Sequence, residues 1–493
     1  MVVALIIGLD VGTTAAKATV FGVDGRIHAT AAREYPLLNP RPGWHVQDPD
    51  GIAAGVLAAL AEAVAQIAPT DVVGISISTA MHGLMGLDAD RRPLTDLITW
   101  ADARAVEQAA RLNDNHATGA RLHRTSGTPS HPMSPLLKLM WFQDNDPELL
   151  HRAAHWVGLK DWVLAVLTGD VVTELSCASG SGMLDLAEHA YNPEAVELAG
   201  VRPDQLPPIL DTTDILKLSP EAAALIGLAA GTPIVVGAGD GPLGNLGTGA
   251  MTPGLAGLSI GTSGALRMVV KQPAIAPGLF CYALTRDVWV TGGAISNGGL
   301  VQRWLTRTYA PDADDAEACR RAAQIPAGSD GLVMIPYLVS ERASLWDQEI
   351  RGAFLHVRQP HTPNHFIRAG VEGVALQLWT ILRRLRTIAR VEQVRATGGV
   401  FRSSLWREVT AGILNRPLVV TGAAEGSALG AAILGAKALD IVPTLAEGYS
   451  LLRPDAVDEV VPVSPSDALV YTELREGLQG LLERFGRLGI EFR

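Results

Sequence analysis

Short apolar runs separated by glycine-containing turns open the chain. The pattern predicts strands over residues 6–9, 18–22 and 27–31, with Asp24-Gly25 as the hairpin signal between the last two. A loop containing Pro and Gly follows over 36–49, and an Ala-, Leu- and Val-rich stretch predicts a helix over 51–67. A further strand is expected over 72–78. The first segment therefore predicts an antiparallel meander, then a helix and a strand.

The middle of the chain, from about 105 to 230, has mainly helical periodicity, interrupted by loops at 128–135 and 176–182. A strand over 232–237 leads into Gly239-Asp240-Gly241, and a second hairpin pattern occupies 255–270. Beyond it we expect a strand over 289–293 and helices over 300–309, 362–391 and 427–439. Strands alternate with helices in both halves, which is typical of an α/β fold.

Two segments about 250 residues apart are near copies of each other: residues 8–14, GLDVGTT, and residues 257–263, GLSIGTS. In each copy glycine permits a tight turn, and backbone N–H groups and hydroxyls can face one point, which suits phosphate oxygens. Only the first copy contains an acid, Asp10, followed by Lys17, whereas the second has Ser259 and Arg267. We therefore expect one half of the chain to hold the metal and the transferred phosphoryl group, and the other half to hold the nucleotide. An ordinary β-turn in each copy is the alternative.

The length and net charge of the chain limit its number of domains and the kinds of partner that we expect it to bind. A chain of 493 residues is too long for one hydrophobic core, so two domains are expected, at 1–249 and 250–493. The net charge is −11, and no Lys/Arg run is longer than a pair, which argues against nucleic acid as a partner. The oligomeric state stays open, a homodimer included.

Cysteine usage and the first residues indicate a compartment. The three cysteines, Cys177, Cys281 and Cys319, are widely spaced, which argues against a disulfide framework or a zinc cluster. The N-terminal apolar run has no basic leader and breaks at Gly8, so it reads as a buried strand. No window approaches the roughly 20 apolar residues of a membrane helix. We expect a cytoplasmic protein without a membrane partner.

Two acidic residues are candidates for phosphoryl-transfer chemistry. Asp10 ends a strand beside a Gly-Thr-Thr turn, where a hard oxygen ligand suits Mg²⁺; capping of the turn is the alternative. Asp240 lies between glycines and could accept the proton of an attacking hydroxyl, or cap the next helix, or both. The pattern Gly239-x-Gly241-x-x-Gly244 is not interpreted as a dinucleotide fingerprint, because no long helix and no acidic residue follow at the required spacing. A Walker A lysine is also absent from the sequence.

Other residues indicate recognition of a polyol. Trp100, Asp102 and Arg104 share one face if their segment is extended, where Trp could cover C–H groups and the charged pair could bind hydroxyls or a carboxylate. An internal ion pair beside a buried tryptophan is the alternative. His82, in Met81-His82-Gly83, is a ligand candidate because it follows a strand end, although a lone histidine is more often a core group.

Two glycine-containing segments near the end allow close backbone approach. They are Gly398-Gly399 and the run from Gly426 to Ala432, beside which a flat adenine could insert. Close packing of a helix explains the second run equally well.

The duplicated hairpins resemble those of the actin-like ATPase superfamily, which implies two ribonuclease H-like domains closing over ATP. In order along the whole chain, the motifs resemble the FGGY carbohydrate kinase family. The resemblance assigns phosphate and nucleotide contacts to Gly12, Thr13, Thr14, Lys17, Gly261, Thr262, Ser263, Gly299, Arg303, Gly398, Gly399 and Ser403. It assigns metal organisation to Asp10, the catalytic base to Asp240, and substrate contacts to Met81, His82, Gly83, Trp100, Asp102, Arg104, His131, Met133 and Asp240.

Within that family, residues 126–135 and 178–183 look most like those of gluconate kinases. The resemblance implies phosphorylation of D-gluconate to 6-phosphogluconate with ATP and Mg²⁺. A substrate carboxylate would then need a partner among Arg104, His82 and His131. A xylulose or other polyol kinase is the runner-up, and a non-catalytic actin-like sugar sensor is the third alternative. Val400-Phe401-Arg402 after Gly399, and Arg at position 303, depart from the family pattern, so nucleotide preference stays open.

Overall fold

The computed structural model describes residues 3–347, 349–422, 426–453 and 458–477. The strands of the first half are β1 (Leu5–Val11), β2 (Ala15–Gly22), β3 (Ile27–Glu34), β4 (Val46–Gln47), β5 (Val72–Thr79), β6 (Met85–Leu87), β7 (Leu97–Ile98), β8 (His155–Val157), β9 (Thr173–Glu174), β10 (Leu184–Asp185), β11 (Ala190–Tyr191), β12 (Ile209–Leu210), β13 (Ile215–Lys217) and β14 (Pro233–Gly239). Those of the second half are β15 (Leu255–Ile260), β16 (Gly264–Val270), β17 (Phe280–Thr285), β18 (Val288–Ile295), β19 (Val333–Ile335), β20 (Ala353–Leu355), β21 (Gln393–Thr397), β22 (Leu418–Val420) and β23 (Glu459–Val461).

Two large mixed sheets share one arrangement of their five central strands and differ at their edges. In the first, ordered β13-β14-β5-β1-β2-β3, the meander β1-β2-β3 is antiparallel and β5 and β14 run parallel to β1. In the second, ordered β17-β18-β16-β15-β21-β22-β23, the hairpin β15-β16 extends antiparallel to β18, and β21 and β22 run parallel to β15. The duplicated sequence therefore corresponds to a duplicated sheet, as the actin-like fold class predicts.

The helices lie between and around these sheets. Those of the first half are α1 (Pro49–Val64), α2 (Val106–Asp114), α3 (His116–Ser126), α4 (Pro135–Asn145), α5 (Pro147–Arg152), α6 (Leu159–Thr168), α7 (Leu175–Ser179), α8 (Pro193–Ala199), α9 (Pro220–Ile226) and α10 (Asp240–Gly247). Those of the second half are α11 (Gly299–Tyr309), α12 (Asp315–Ala322), α13 (Pro363–Leu385), α14 (Ser404–Leu414), α15 (Gly426–Ala438) and α16 (Leu445–Leu452). Local signals set several starts: Asp48 caps α1, Ser219 caps α9, and a proline begins each of these helices.

Helices α10 and α15 join the two halves through close backbone contact. A Cβ on Gly430 of α15 would lie 2.0 Å from the carbonyl oxygen of Leu243 in α10, and one on Gly8 of β1 would lie 2.2 Å from that of Ala428. Apolar residues of both halves, including Ile6, Leu243, Val290 and Ile433, form one buried cluster here. Close helix packing, one of the two interpretations of the Ala/Gly-rich run, is confirmed at Gly430, whereas the adenine contact stays a prediction.

The main predicted elements are present, with boundaries a few residues off. The loop expected over 176–182 is wrong in part, because α7 occupies Leu175–Ser179, and the mainly helical middle also contains six short strands, β8 to β13. The helix expected over 362–391 ends at Leu385, and the strand expected over 232–237 extends to Gly239. Within the described ranges, no helix combines the length and apolar composition that a bilayer crossing requires. The predicted end of the second domain, at 493, lies outside the described residues.

Candidate active site

A cavity of about 850 Å³ lies between the two sheets, at the ends of β1 and β14 on one side and β15 and β21 on the other. Because β5 and β14 run parallel to β1, their carboxyl ends meet at one edge, which brings residues distant in sequence together. Twelve of the candidate residues line this cavity: Asp10, Thr13, Lys17, Met81, His82, Trp100, Met133, Asp240, Gly261, Ser263, Gly398 and Gly399.

The first hairpin is held from behind by side chains of the first half. Asp10 accepts a hydrogen bond of 2.7 Å from the Ser78 hydroxyl, and Lys17 lies opposite it in the β1-β2 register. The Trp100 indole N–H donates to Thr13 Oγ1 over 2.9 Å, and the Gln47 amide donates to the Thr13 carbonyl oxygen. Trp100 therefore connects the polyol segment to the phosphate hairpin.

The second hairpin is fixed to the start of α11. The backbone N–H of Gly299 donates to the Gly261 carbonyl oxygen over 2.8 Å, and Arg303 Nη2 donates to Thr262 Oγ1 over 3.0 Å. Gly299, Thr262 and Arg303 thus lie behind the turn, outside the cavity lining, where they support Gly261 and Ser263.

Register corrects one equivalence drawn from the repeat. Lys17 pairs with Asp10 across β1-β2, but the residue that pairs with Ser259 across β15-β16 is Ala265. Arg267 pairs instead with Gly257, two positions further along the strand. Side chains alternate along a strand, so Arg267 shares a face with Ala265 but lies two residues further from the turn.

Gly398 and Gly399 form a turn after β21. Gly398 has φ +123°, and a Cβ there would lie 2.0 Å from the Ile260 carbonyl oxygen, so only glycine fits this approach to β15. A Cβ on Gly399 would meet nothing within 4 Å, which leaves an open, flat wall beside Phe401 and Arg402. Ser403 occupies the N-cap position of α14 and lies outside the cavity lining.

Asp240 is the first residue of α10, and Gly239 occupies the capping position, so the proposed capping role of Asp240 is not seen. A β-bulge precedes it: Val235 pairs with Ser76 and Ala238 with Ser78, which leaves one extra residue on β14. Gly237, with φ +80°, lies in this bulge, and a Cβ there would meet the Ile77 carbonyl oxygen at 1.8 Å. The bulge directs the strand end, and with it Asp240, into the cavity.

A buried lysine, Lys160 of α6, supports the bulge from below. Its ammonium donates to the carbonyl oxygens of Ile77 at 2.6 Å, Val236 at 3.0 Å and Ala238 at 3.0 Å. Burial lowers the Lys160 pKa, and the carboxylates of Glu174 and Asp161 oppose that shift. The residue connects the ends of β5 and β14 directly beneath Asp240.

Opposing influences set the acidity of Asp240. Burial raises the pKa of its carboxyl group above 3.8, and the positive charges of Arg267, Arg342 and Lys160 act against the rise, as does a hydrogen bond from the Gly241 backbone. A carboxylate in such a position is a stronger base than one in water.

His82 connects the two halves as a neutral imidazole. Nδ1 lies 2.8 Å from the Gly180 carbonyl oxygen, which can only accept, so Nδ1 carries the proton. Nε2 lies 3.2 Å from the Tyr282 hydroxyl of β17 and accepts from it. Burial lowers the His82 pKa to about 3, which keeps the ring neutral.

The segment after β7 is not extended, so Trp100, Asp102 and Arg104 do not share the expected face. Arg104 donates to both carboxylate oxygens of Asp102, at 2.8 Å and 2.9 Å, and its guanidinium lies 3.8 Å from the ring centre of Trp44. The internal ion pair considered as the alternative is what the structure shows. Trp44 is therefore a packing partner of Arg104.

The cavity lining omits ten candidates: Gly12, Thr14, Gly83, Asp102, Arg104, His131, Thr262, Gly299, Arg303 and Ser403. His131 is buried behind Met133, whose backbone N–H donates to His131 Nδ1, and burial lowers the His131 pKa to about 3. The lining adds residues that motif reasoning did not assign to the site, including Phe280, Tyr282, Arg267 and Arg342.

Buried lysines also escaped the sequence reasoning, although a signal existed. Lys138 of α4 donates to the carbonyl oxygens of His82 and Thr99 and thereby joins the substrate loop to the Trp100 segment. Both Lys138 and Lys160 lie inside apolar helix runs, PLLKLM and GLKDWV. A lysine in such a run is rarely buried without a set of acceptors, which points to a supporting role.

The donor set fits a nucleotide with a magnesium ion. Mg²⁺ in phosphoryl-transfer sites is commonly held by one or two carboxylates together with phosphates and water, and Asp10 and Asp240 both face the cavity. Among the described residues no group of three or more His, Cys, Asp or Glu side chains forms a self-sufficient metal site. The open wall at Gly399 and Gly261 leaves room for a bound molecule.

Comparison with known proteins assigns a family. Models of the N-terminal and C-terminal domains of the FGGY family of carbohydrate kinases match residues 5–247 and 256–439. A gluconokinase of Bacillus licheniformis is 36% identical, covering 87% of this chain and 86% of that protein, and a xylulose kinase of Bacillus subtilis is 30% identical, covering 87% of each. The crystal structure of a gluconate kinase from Lactobacillus acidophilus superposes with a TM-score of 0.95 at 31% identity, over 100% of both chains.

Proposed function

Because this chain belongs to the FGGY family of carbohydrate kinases, we propose that it transfers the γ-phosphoryl group of ATP to the terminal hydroxyl of D-gluconate. The observation that carries the proposal is the common cavity, which Asp240 and both glycine hairpins line from opposite halves. A base and an array of phosphate-facing N–H and hydroxyl groups are the two parts that phosphoryl transfer to an alcohol requires.

The residues of the chain divide the work of this reaction. Trp100, Met81 and Met133 give the acceptor an apolar and aromatic surface, and neutral His82, bonded to Gly180 and Tyr282, extends that wall. Asp240 accepts the hydroxyl proton as the hydroxyl oxygen bonds to phosphorus and the bond to the departing diphosphate breaks; the proton then passes to solvent. Thr13 and the turns at Gly261 and Gly398 orient donors toward the phosphates. Asp10 would hold a Mg²⁺ ion, which would supply positive charge to the phosphates.

D-gluconate is favoured over a neutral ketose by two independent observations. Gluconokinase relatives share more sequence with this chain than the xylulose kinase relatives do, at 36% against 30%. The cavity lining also includes Arg267 and Arg342 beside the aromatic residues of the polyol region, although the chain as a whole has a net charge of −11. A substrate with a carboxylate complements that local charge.

Release of ADP tests the proposal directly. Purified protein with Mg-ATP is assayed against D-gluconate, D-xylulose, D-ribulose and glycerol, with product phosphate position assigned by ³¹P and ¹³C NMR. Turnover selective for D-gluconate, with phosphate on C6, is expected. Preference for D-xylulose would show that the proposed substrate is wrong, while the proposed phosphoryl-transfer mechanism would still apply. ATP hydrolysis without a sugar phosphate in any assay would favour a sugar sensor instead.

The proposed kinase activity includes three further proposals. They are the domain division at 249/250, the Mg²⁺ site at Asp10 and the individual contacts of the candidate residues. A cytoplasmic location and the oligomeric state also remain predictions.

A further inference from the structure

Arg342 belongs to the second half but reaches the sugar side of the cavity. It follows β19 in a loop, and its guanidinium carbon lies 5.1 Å from the ring centre of Trp100, a residue of the first half. Its charge also acts on His82 and His131, the two histidines of the substrate segments. Arg342 therefore lies where residues of the polyol region converge.

The guanidinium is held in position by backbone and hydroxyl acceptors. Nη2 donates to the Ile295 carbonyl oxygen over 2.9 Å, and Nε lies 3.3 Å from Ser296 Oγ, both at the end of β18. These contacts occupy one edge of the group, while Arg342 remains part of the cavity lining. A guanidinium fixed along one edge can present its other N–H groups to a ligand without reorganising.

No protein carboxylate neutralises this charge by direct contact. Within the described residues, no carboxylate oxygen lies within 4.0 Å of the Arg342 guanidinium. The adjacent Glu341 is satisfied elsewhere: it accepts from the backbone N–H groups of Ser296 and Arg342, each at 2.7 Å, and from the side-chain amides of Asn297 and Gln377. A partly buried cation without a paired anion loses hydration, and an anionic ligand would relieve that cost.

The other cations near the substrate are less suited to the task. Arg104 is paired with Asp102, and His82 and His131 are held neutral by burial. Arg267 lowers the Asp240 pKa more than Arg342 does, and its Nη2 would lie 3.2 Å from a Cβ on Gly241, so it belongs to the phosphoryl end of the cavity. In D-gluconate the carboxylate and the C6 hydroxyl are at opposite ends of the carbon chain, so the carboxylate lies away from Asp240 when that hydroxyl faces it.

We propose that Arg342 binds the carboxylate of a sugar-acid substrate and is the residue that makes the enzyme select an acid over a neutral polyol. The inference rests on the proposed gluconate kinase activity and adds the source of its specificity. Since Arg342 comes from the second half and Trp100 from the first, an acid bound here contacts both halves. Binding of the carboxylate and closure of the cleft then occur together, because the same ligand contacts both halves.

The test compares D-gluconate with D-gluconamide, its neutral analogue, in wild type and in Arg342→Gln. Loss of the cation should raise KM for D-gluconate by about 10²-fold, as for truncation of one partner of a buried charge pair. The kinetics with D-gluconamide should change by less than about threefold, because the amide does not need the positive charge. Arg358→Gln, the same change at an exposed position of the same half, should alter neither.

Each result is decisive. Wild type that fails to phosphorylate D-gluconate overturns the proposed function, whereas wild type that turns it over while Arg342→Gln keeps the full preference for the acid overturns only this inference. Equal losses on both substrates at an unchanged melting temperature also overturn it. If Arg342→Gln does not fold, Arg342→Lys is measured instead, and a raised KM for D-gluconate alone is required, since lysine cannot make the bidentate contact.

Discussion

Asp240 combines three features of a general base: it lies at the first position of a helix, lines the cavity, and has a pKa raised by burial. We expect Asp240→Asn to lower kcat by about 10² to 10⁴, with little change in KM for the sugar, because the amide keeps the shape and loses the basicity. Steady-state kinetics with D-gluconate measures this effect. Asp90→Asn, at an exposed turn, is the matched control. Near-normal turnover in Asp240→Asn would show that Asp240 is not the general base.

Arg267 offers a test that depends on pH. Its positive charge opposes the burial that raises the Asp240 pKa, so Arg267→Gln should raise that pKa further. The base works only when ionised, so activity falls as pH decreases through its pKa. The acid limb of the pH profile of kcat should therefore move to higher pH in Arg267→Gln, by about one unit. An unchanged limb, or one moved to lower pH, would contradict the assignment of Asp240 as the titrating group.

Among the elements, the bulge of β14 depends on Lys160. Replacing Lys160 with Met removes three hydrogen bonds to backbone carbonyl oxygens and leaves those acceptors buried. The free energy of unfolding should fall by about 2 to 4 kcal/mol. Because the strand end that carries Asp240 is released, kcat should fall by about tenfold or more while KM for ATP stays near its value.

Chemical denaturation and steady-state kinetics measure the two effects of Lys160→Met. Lys271→Met, at an exposed position after β16, is the control for the loss of a positive charge. A stability and kcat like those of wild type would show that the bulge holds its form without the ammonium.

The limits of sequence prediction differ between these elements. The hairpins at β1-β2 and β15-β16 could be predicted because glycine turns and alternating apolar residues are local signals. The bulge could not, because the extra residue on β14 is defined only by its register against β5. The equivalence of Lys17 and Arg267 was wrong for the same reason: counting along the chain does not give the pairing across a strand.

The substrate side of the site was the least predictable. Asp10, Asp240 and the glycines lie next to strand ends, where position in sequence nearly fixes position in the fold. Arg342 lies in a loop without a recognisable motif, and Tyr282 lies within a buried strand. Both reach the first half only because the two sheets face each other, which is a property of tertiary structure.

At the scale of the whole molecule, α10 and α15 approach so closely at Gly430 that this position has no room for a side chain. Gly430→Val places methyl groups against the Leu243 carbonyl oxygen, which would lie 2.0 Å from the new Cβ. We expect a loss of at least about 2 kcal/mol of unfolding free energy, although valine is a better helix former than glycine. Calorimetry measures it, with Ala438→Val in the same helix as the control. A melting temperature equal to that of wild type would show that the helices can separate without cost.

The position of α15 also bears on how such a chain can be divided. This helix follows the second sheet in sequence, yet it packs against β1 and β5 of the first, and Gly435 approaches Ser76 of β5 closely. A gene cut between β14 and β15 would thus encode two polypeptides, each with an uncovered apolar face that only the other can cover. Neither polypeptide should fold stably alone, whereas the two polypeptides produced together should associate and recover activity. The repeated motif thus does not mark two independently folding units, because one helix of the second half completes the packing of the first sheet.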